Sequence, residues 1–206
     1  MTADAQGNDL TSVKYVVNSK IIVAPYDPAV KLTASMIAKT VADPITTLKD
    51  IFSKGHAVGL ITSDGAPQDA RDSDDATEFH QPGYMLNADP NLTLAFTVAE
   101  DNETVRAMTI GTPDADGVYH VSDTIQDSKW IAYQETHYKT GTIRRRLGVL
   151  QTTGSEPAQD TRGEVSGIAL TTTWQKDGIV DDGNSRYLQS YYTPGTTAGS
   201  GSGKTA

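Results

Sequence analysis

Cysteine is absent from all 206 residues, which excludes disulfide frameworks, thiol nucleophiles and thiolate metal sites. Histidine is scarce: His56, His80, His120 and His137 lack the i, i+4 helical partners and the carboxylate spacing of a metal centre. His137 lies two residues from Glu135 in a predicted strand, so both face one side. An ion pair is the expected role there, because a general base also needs a pocket and an oriented substrate. Nucleophile-elbow serine, kinase and dinucleotide fingerprints are all missing. No catalytic, cofactor-binding or metal residue is therefore assigned, and an enzyme is not expected.

Positive charge is also short, with Lys+Arg 17 against Asp+Glu 26 and a net charge of −9. The pI of about 4.8 is the wrong sign for a protein that grips nucleic acid by displacing counterions from phosphates. The longest apolar runs, Ile21 to Ala24 and Ala57 to Ile61, fall far below the roughly 20 residues that cross a bilayer. Met1 to Leu10 has neither the basic nor the apolar region of a signal peptide. A soluble, non-exported product is the expectation.

Threonine is abundant, with 27 copies, and together with Val, Ile and Tyr it favours a pleated, half-buried surface. The pattern predicts a mainly β fold. Leu92, Leu94, Phe96 and Val98 alternate with Thr93, Ala95 and Thr97, the signature of a strand with one buried face. Trp130 to Tyr138, the turn Lys139-Thr140-Gly141 and Thr142 to Gln151 predict a long hairpin. Further strands are predicted over Ser12 to Val23, Ala57 to Ser63, Glu164 to Trp174 and Arg186 to Tyr192. One helix is predicted from Asp43-Pro44 through Ile45, Leu48, Ile51 and Phe52, and a second, shorter one from Asp101 or Asn102 to Gly111.

The chain divides into an N-terminal arm over 1–11, a β domain over 12–194 and a Gly/Ser/Thr-rich C-terminal arm over 195–206. Ala198 with Gly203, Lys204 and Thr205 mimics a phosphate loop, but the flanking strand and helix that such a loop needs are missing.

Two charged segments are candidate contact surfaces. Asp64 to Glu78 carries Asp64, Asp69, Asp72, Asp74, Asp75 and Glu78 against Arg71 alone, and reads as an exposed loop or hairpin tip suited to axial contact between subunits. Asp69, Asp72, Asp74 and Asp75 are oxygen donors, but the EF-hand order of calcium ligands is not there. Arg144, Arg145 and Arg146 form the one compact basic run. Strand alternation splits them between two faces, so a solvated face paired with acids is expected first, pairing across subunits second and direct nucleic-acid contact last. With Trp130 and Glu135 they make the candidate lateral contact.

The element order resembles a known family. Gly59-Leu60-Ile61-Thr62-Ser63-Asp64-Gly65 is followed by an acidic hairpin, then by Phe96-Thr97-Val98-Ala99-Glu100-Asp101-Asn102 at a strand-to-helix junction. After these come the hairpin with Trp130 and Arg144 to Arg146, and Gly163-Glu164-Val165 leading to Trp174. Over about Ser12 to Tyr192 this is similar to the major tail tube protein of long, non-contractile-tailed bacteriophages, particularly those of actinobacteria. The resemblance implies a β-sandwich or barrel-like fold with a flanking helix, and six copies per ring. Rings would stack into a tube in the virion tail through which viral DNA passes without specific binding. It also implies tail initiator or distal tail, tape measure and tail terminator proteins as partners, synthesis in the host cytoplasm, no cofactor and no membrane. Acid facing the lumen would keep phosphates from sticking. The alternatives are a capsid-decorating or tail-terminator protein, and a β-sandwich module that binds sugar or Ca²⁺.

Overall fold

The computed structural model describes residues 6, 8–9, 12–73, 76–86, 89–121 and 128–194. The fold is mainly β. Its strands are β1 (Val16–Pro25), β2 (His56–Ala57), β3 (Gln68–Asp72), β4 (Thr77–Glu78), β5 (Met85–Leu86), β6 (Asn91–Val98), β7 (Lys129–Tyr138), β8 (Ile143–Pro157), β9 (Ile168–Gln175) and β10 (Tyr187–Tyr192). The helices are α1 (Pro44–Thr47) and α2 (Glu103–Thr109).

One antiparallel sheet runs β2-β1-β7-β8-β9-β6-β3, and β10 pairs with β8 beside this path. β8 serves three partners: β7 along Ile143 to Gln151, β10 along Ile143 to Gly148, and β9 from Val149 to Pro157. Its register shifts between Thr152 and Gly154, and such a bulge sharpens the local twist. The sheet curls there. Asp69 on β3 consequently reaches Arg144 and Arg146 on β8, although β9 and β6 lie between those strands in the hydrogen-bonded order.

The curl gives two cores. Ile21, Val23, Ala132 and Leu150 face Leu94, Phe96, Val98, Leu170 and Trp174 across the interior, and Val105 and Met108 of α2 join them. The opposite face of β1, β7 and β8, with Ile22, Ala24, Ile131, Tyr133, Leu147 and Val149, packs under a strap that contributes Leu32, Ile37, Leu48 and Phe52. The layers therefore run from β8–β9–β6–β3 through the first core to β1–β7–β8, then through the second core to the strap.

The two motifs that carry the family resemblance interlock. Glu100 accepts the Leu60 N–H at 2.9 Å, and Asn102 donates to the Val58 carbonyl while capping α2 through the Val105 N–H. Gly59 has φ of 96°, a left-handed conformation, with Glu100 packed where a side chain would sit. At Gly65 a Cβ would collide with Thr97, whose N–H donates to the Gly65 carbonyl. Asn102→Ala removes both the cap and the Val58 bond, so a loss of about 1 to 2 kcal/mol is expected in denaturant unfolding. A midpoint equal to that of the unaltered protein would show that the clasp contributes nothing.

Several sequence expectations change. The first strand starts at Val16 rather than Ser12. In the predicted strand Ala57 to Ser63, only His56–Ala57 pairs with β1, because Gly59 turns the chain towards β6, where Ile61 bridges Val98. The helix predicted to reach Phe52 is a single turn, Pro44–Thr47, capped by the Asp43 carboxylate on the Ile45 N–H, followed by a 3₁₀ turn at Phe52–Lys54. Two successive threonines, Thr46 and Thr47, propagate a helix poorly, and the apolar stripe still reaches the core because Leu48 and Phe52 are buried. α2 keeps its predicted place, with Asn102 as its cap. β9 starts at Ile168 rather than Glu164, since Thr161 to Glu164 closes a turn.

The segment Asp64 to Glu78 is not one loop. Gln68–Asp72 is a strand of the main sheet paired with β6 from Ala95 to Asn91, and Thr77–Glu78 begins a separate hairpin with Met85–Leu86. Little apolar alternation marks β3; backbone pairing and the Asp69 ion pairs hold it.

Candidate assembly surfaces

Alternation along β3, β6, β9 and the C-terminal half of β8 turns Leu92, Leu94, Phe96, Leu170 and Trp174 into the first core. The opposite side of these strands therefore carries Gln68, Ala70, Thr93, Ala95, Thr97, Ala169, Thr171, Thr173, Gln175 and Gln151. No core cluster covers this side among the described residues. Both margins are open as well. β3 pairs only with β6, and the β8 stretch beyond Gln151 has no strand on the side where β7 has ended, among the described residues. An open margin exposes a row of backbone donors and acceptors to another chain. β3 and β8 run in opposite directions in this four-strand set, so the margin of one copy continues the alternation of the next.

The basic triplet is where sequence and structure differ most. Arg145 is 1% exposed and Arg146 5%, so neither lies on a solvated face. Arg145 donates to the Val41 carbonyl at 2.6 Å and the Ala42 carbonyl at 2.8 Å, lies 3.7 Å from Glu135, and stacks 4.2 Å from the Tyr192 ring centre. It thereby fixes the strap over the second core. Arg146 binds Asp69 and Gln189 and lies against Tyr187, and Arg144 approaches Asp69 at 3.6 Å. Both faces of β7, and of β8 as far as Leu150, are covered by the same chain, which hides residues that alternation alone would expose.

Glu135 is a partly buried hub that accepts the Tyr133 hydroxyl at 2.6 Å, with His137 Nε2 at 3.3 Å. Burial first, and the Glu135 carboxylate second, push the Tyr133 phenol far above its usual range. Trp130 is half-buried against the first core, and its indole N–H is buried without a protein partner. Asp64 lies in the turn before β3, and Glu78 is exposed on β4. Asp72 faces away from Asp69, on the uncovered side of β3, so those two carboxylates cannot share a cation. Arg71 lines a groove of about 530 Å³ with Lys176, Arg186 and Tyr187. Asp74 and Asp75 lie outside the described residues. No group of three or more His, Asp or Glu positioned for a metal occurs among the described residues.

Apolar side chains are exposed at both ends of the four-strand set. At one end the separate hairpin β4–β5 presents Phe79, Tyr84, Met85 and Leu86; Leu60 and Val165 lie in the loops at the other. Sequence reading missed the uncovered sheet face, although the Thr/Ala alternation of β6 and the Thr171-Thr172-Thr173 run signalled it.

Depressed carboxyl pKa values link stability to pH. Burial pushes Asp177 up, but the Lys129 ammonium at 2.8 Å, the Ile179 N–H and the Tyr26 hydroxyl outweigh it and hold the group below the usual range. The Thr46 hydroxyl and the Ile45 and Thr46 N–H groups lower Asp43, and the Arg106 guanidinium lowers Asp101. Groups of this sign stabilise fully above their unfolded pKa, and lose that contribution as pH falls through the lower folded value. Thermal midpoints are expected to stay level down to about pH 4 and then to drop, with Asp177→Asn shallower in its acid dependence. A midpoint that instead rises as the pH falls below 4 would contradict this linkage.

A scan against protein-family models finds no match, and neither does a search of the curated proteins.

Proposed function

We propose that this chain is a structural virion protein, the subunit of a phage tail tube, with six copies in a ring and rings stacked into the conduit for genome delivery. The observation that carries the reading is the four-strand sheet that, among the described residues, is uncovered, has two open margins and has all other layers on its far side. Pairing β3 of one copy with the β8 margin of the next is a heterologous contact, which closes into a ring when the rotation allows. Four strands from each of six copies make a cylinder roughly 37 Å across if upright and roughly 48 Å if tilted by about 40°, at a spacing of about 4.8 Å. The bulk of the subunit lies on one side of that sheet and can only sit outside such a cylinder. The separate hairpin, with its exposed Phe79, Tyr84, Met85 and Leu86, supplies axial contact between rings. Tail initiator, tape measure and terminator proteins are the partners this role requires, and the virion tail is its location.

Electron microscopy of the concentrated protein, with and without a tail initiator complex, tests the reading. Rings or hollow tubes of uniform width are expected, and a chain that stays monomeric in both conditions would count against it. Serine at Phe79, Tyr84, Met85 and Leu86 together is expected to leave the stability within about 1 kcal/mol of wild type, as surface changes do, and to stop growth at single rings. Tubes of normal length from that variant would remove the hairpin from the axial contact.

A further inference from the structure

We infer that the channel wall of the proposed tube, the uncovered face of β8–β9–β6–β3, is electrically neutral in its central band, made of hydroxyls, methyls and amides with an acid at each rim. The inference rests on the tube reading, which makes this face the wall, and it takes the chemistry of that wall from the side chains themselves. Thr93, Ala95, Thr171, Thr173 and Gln151 fill the middle of this face. Asp72 stands at the end of β3 beside Asn91, and Glu156 stands near the other end of β8 opposite Ala169. No Lys or Arg shares it among the described residues. The nearest base in register, Lys129 opposite Gln151, has its ammonium on Asp177 at 2.8 Å and over the Tyr26 ring.

The chain's net charge of −9 therefore lies mostly elsewhere, and an acid-lined channel is not what these strands provide. Among the described residues the face also lacks the Trp, Tyr or Arg anchors that make a protein-docking surface adhesive, while Phe79, Tyr84, Met85, Leu86, Leu60 and Val165 are exposed beyond the ends of its strands. Along β6 the acid rows lie level with Asn91 and Thr97, about 20 Å apart, and the band of the Thr93 and Ala95 rows between them is neutral. A duplex that passes over it releases no counterions on contact, so it gains no affinity there. The acids at the rims repel phosphate weakly, being screened over about 8 to 10 Å at ordinary salt.

The absence of cysteine makes the test clean. Thr171→Cys in assembled tubes is expected to react with a small maleimide, and at least ten-fold more slowly with a maleimide on a large polymer, whereas dissociated subunits react equally with both. Equal reaction of tubes with both reagents would place the face outside, and reaction with neither would bury it in a contact; either overturns the wall. For the charge, tubes of Thr171→Lys, and independently of Thr93→Lys, are expected to retain a short linear DNA duplex at low salt at least ten-fold more than wild-type tubes, and to release it at high salt. Salt-sensitive retention by wild-type tubes, or no gain in either lysine variant, overturns the neutral band. Failure of the wild-type protein to form tubes sinks the assembly reading and the wall with it. Tubes of the Thr171→Cys variant whose new thiol faces outward sink the wall alone.

Discussion

Arg145→Ala is expected to lower stability by about 3 to 5 kcal/mol, the range for stripping one partner from a buried charge, and to lower the melting midpoint by roughly 6 to 20 °C at this chain length. The guanidinium is buried and forks onto the carbonyls of Val41 and Ala42. Without it those two acceptors lose their donor and the partly buried Glu135 loses the opposite charge 3.7 Å away, and unpaired groups cost more than the bonds contributed. The strap over Leu147, Val149 and Tyr133 loses its anchor on β8. Amide exchange over 33–47 should accelerate more than exchange in β6. Arg145→Lys keeps the charge but cannot fork onto two carbonyls, so it should fall between wild type and alanine. An alanine variant within about 1 kcal/mol of wild type would show that the arginine is incidental.

Asp69→Ala is expected to cost about 2 to 3 kcal/mol at low salt and to abolish ring formation. Asp69 is the shared carboxylate of Arg146 and Arg144. Its own side chain is 34% exposed, so solvent recovers part of the full cost of breaking a buried pair. The pair ties the last strand of the curled sheet to β8, and β3 is one of the two margins on which ring closure depends. A double-mutant cycle with Arg146→Met should return a coupling of at least about 1 kcal/mol. Additive single changes would mean that β3 is held by its backbone pairing with β6 alone, and rings from Asp69→Ala would remove the strand from the assembly margin.

Strands with a physical alternation are legible in the sequence. β6 is read within one residue of its limits because Leu92 to Val98 places apolar groups at period two, and the β7–β8 hairpin at its correct turn because Lys139-Thr140-Gly141 separates two strand-like runs. β3 is not legible: Gln-Asp-Ala-Arg-Asp reads as a solvated loop until Arg144 and Arg146 arrive from a distant strand. For the same reason the arginines read as surface groups, since nothing in their local pattern announces a strap on one side and β3 on the other. The α1 region is over-read because Ile45, Leu48, Ile51 and Phe52 pack against the sheet whether the chain coils or turns. The uncovered face is half legible: its threonines and alanines are visible as the polar side of β6, but which neighbours extend it is decided by strand order. The resemblance motifs are internal to the fold, since Glu100, Asn102 and Thr97 clasp the run from Val58 to Gly65.

β8 also sets how the chain reaches its fold. Among the described residues the β7–β8 hairpin is the one long pairing closed by a short turn, whereas Val16 must find Tyr138 and Val98 must find Ile168 across long stretches of chain. Loop-closure entropy makes such distant pairings late and slow, so the hairpin is the natural nucleus. Once formed, it offers one side to β1 and the other to both β9 and β10. Completion of one sheet half thus templates the other, and unravelling of either deprives the shared strand of support, so melting in a single cooperative step follows from one strand with three partners.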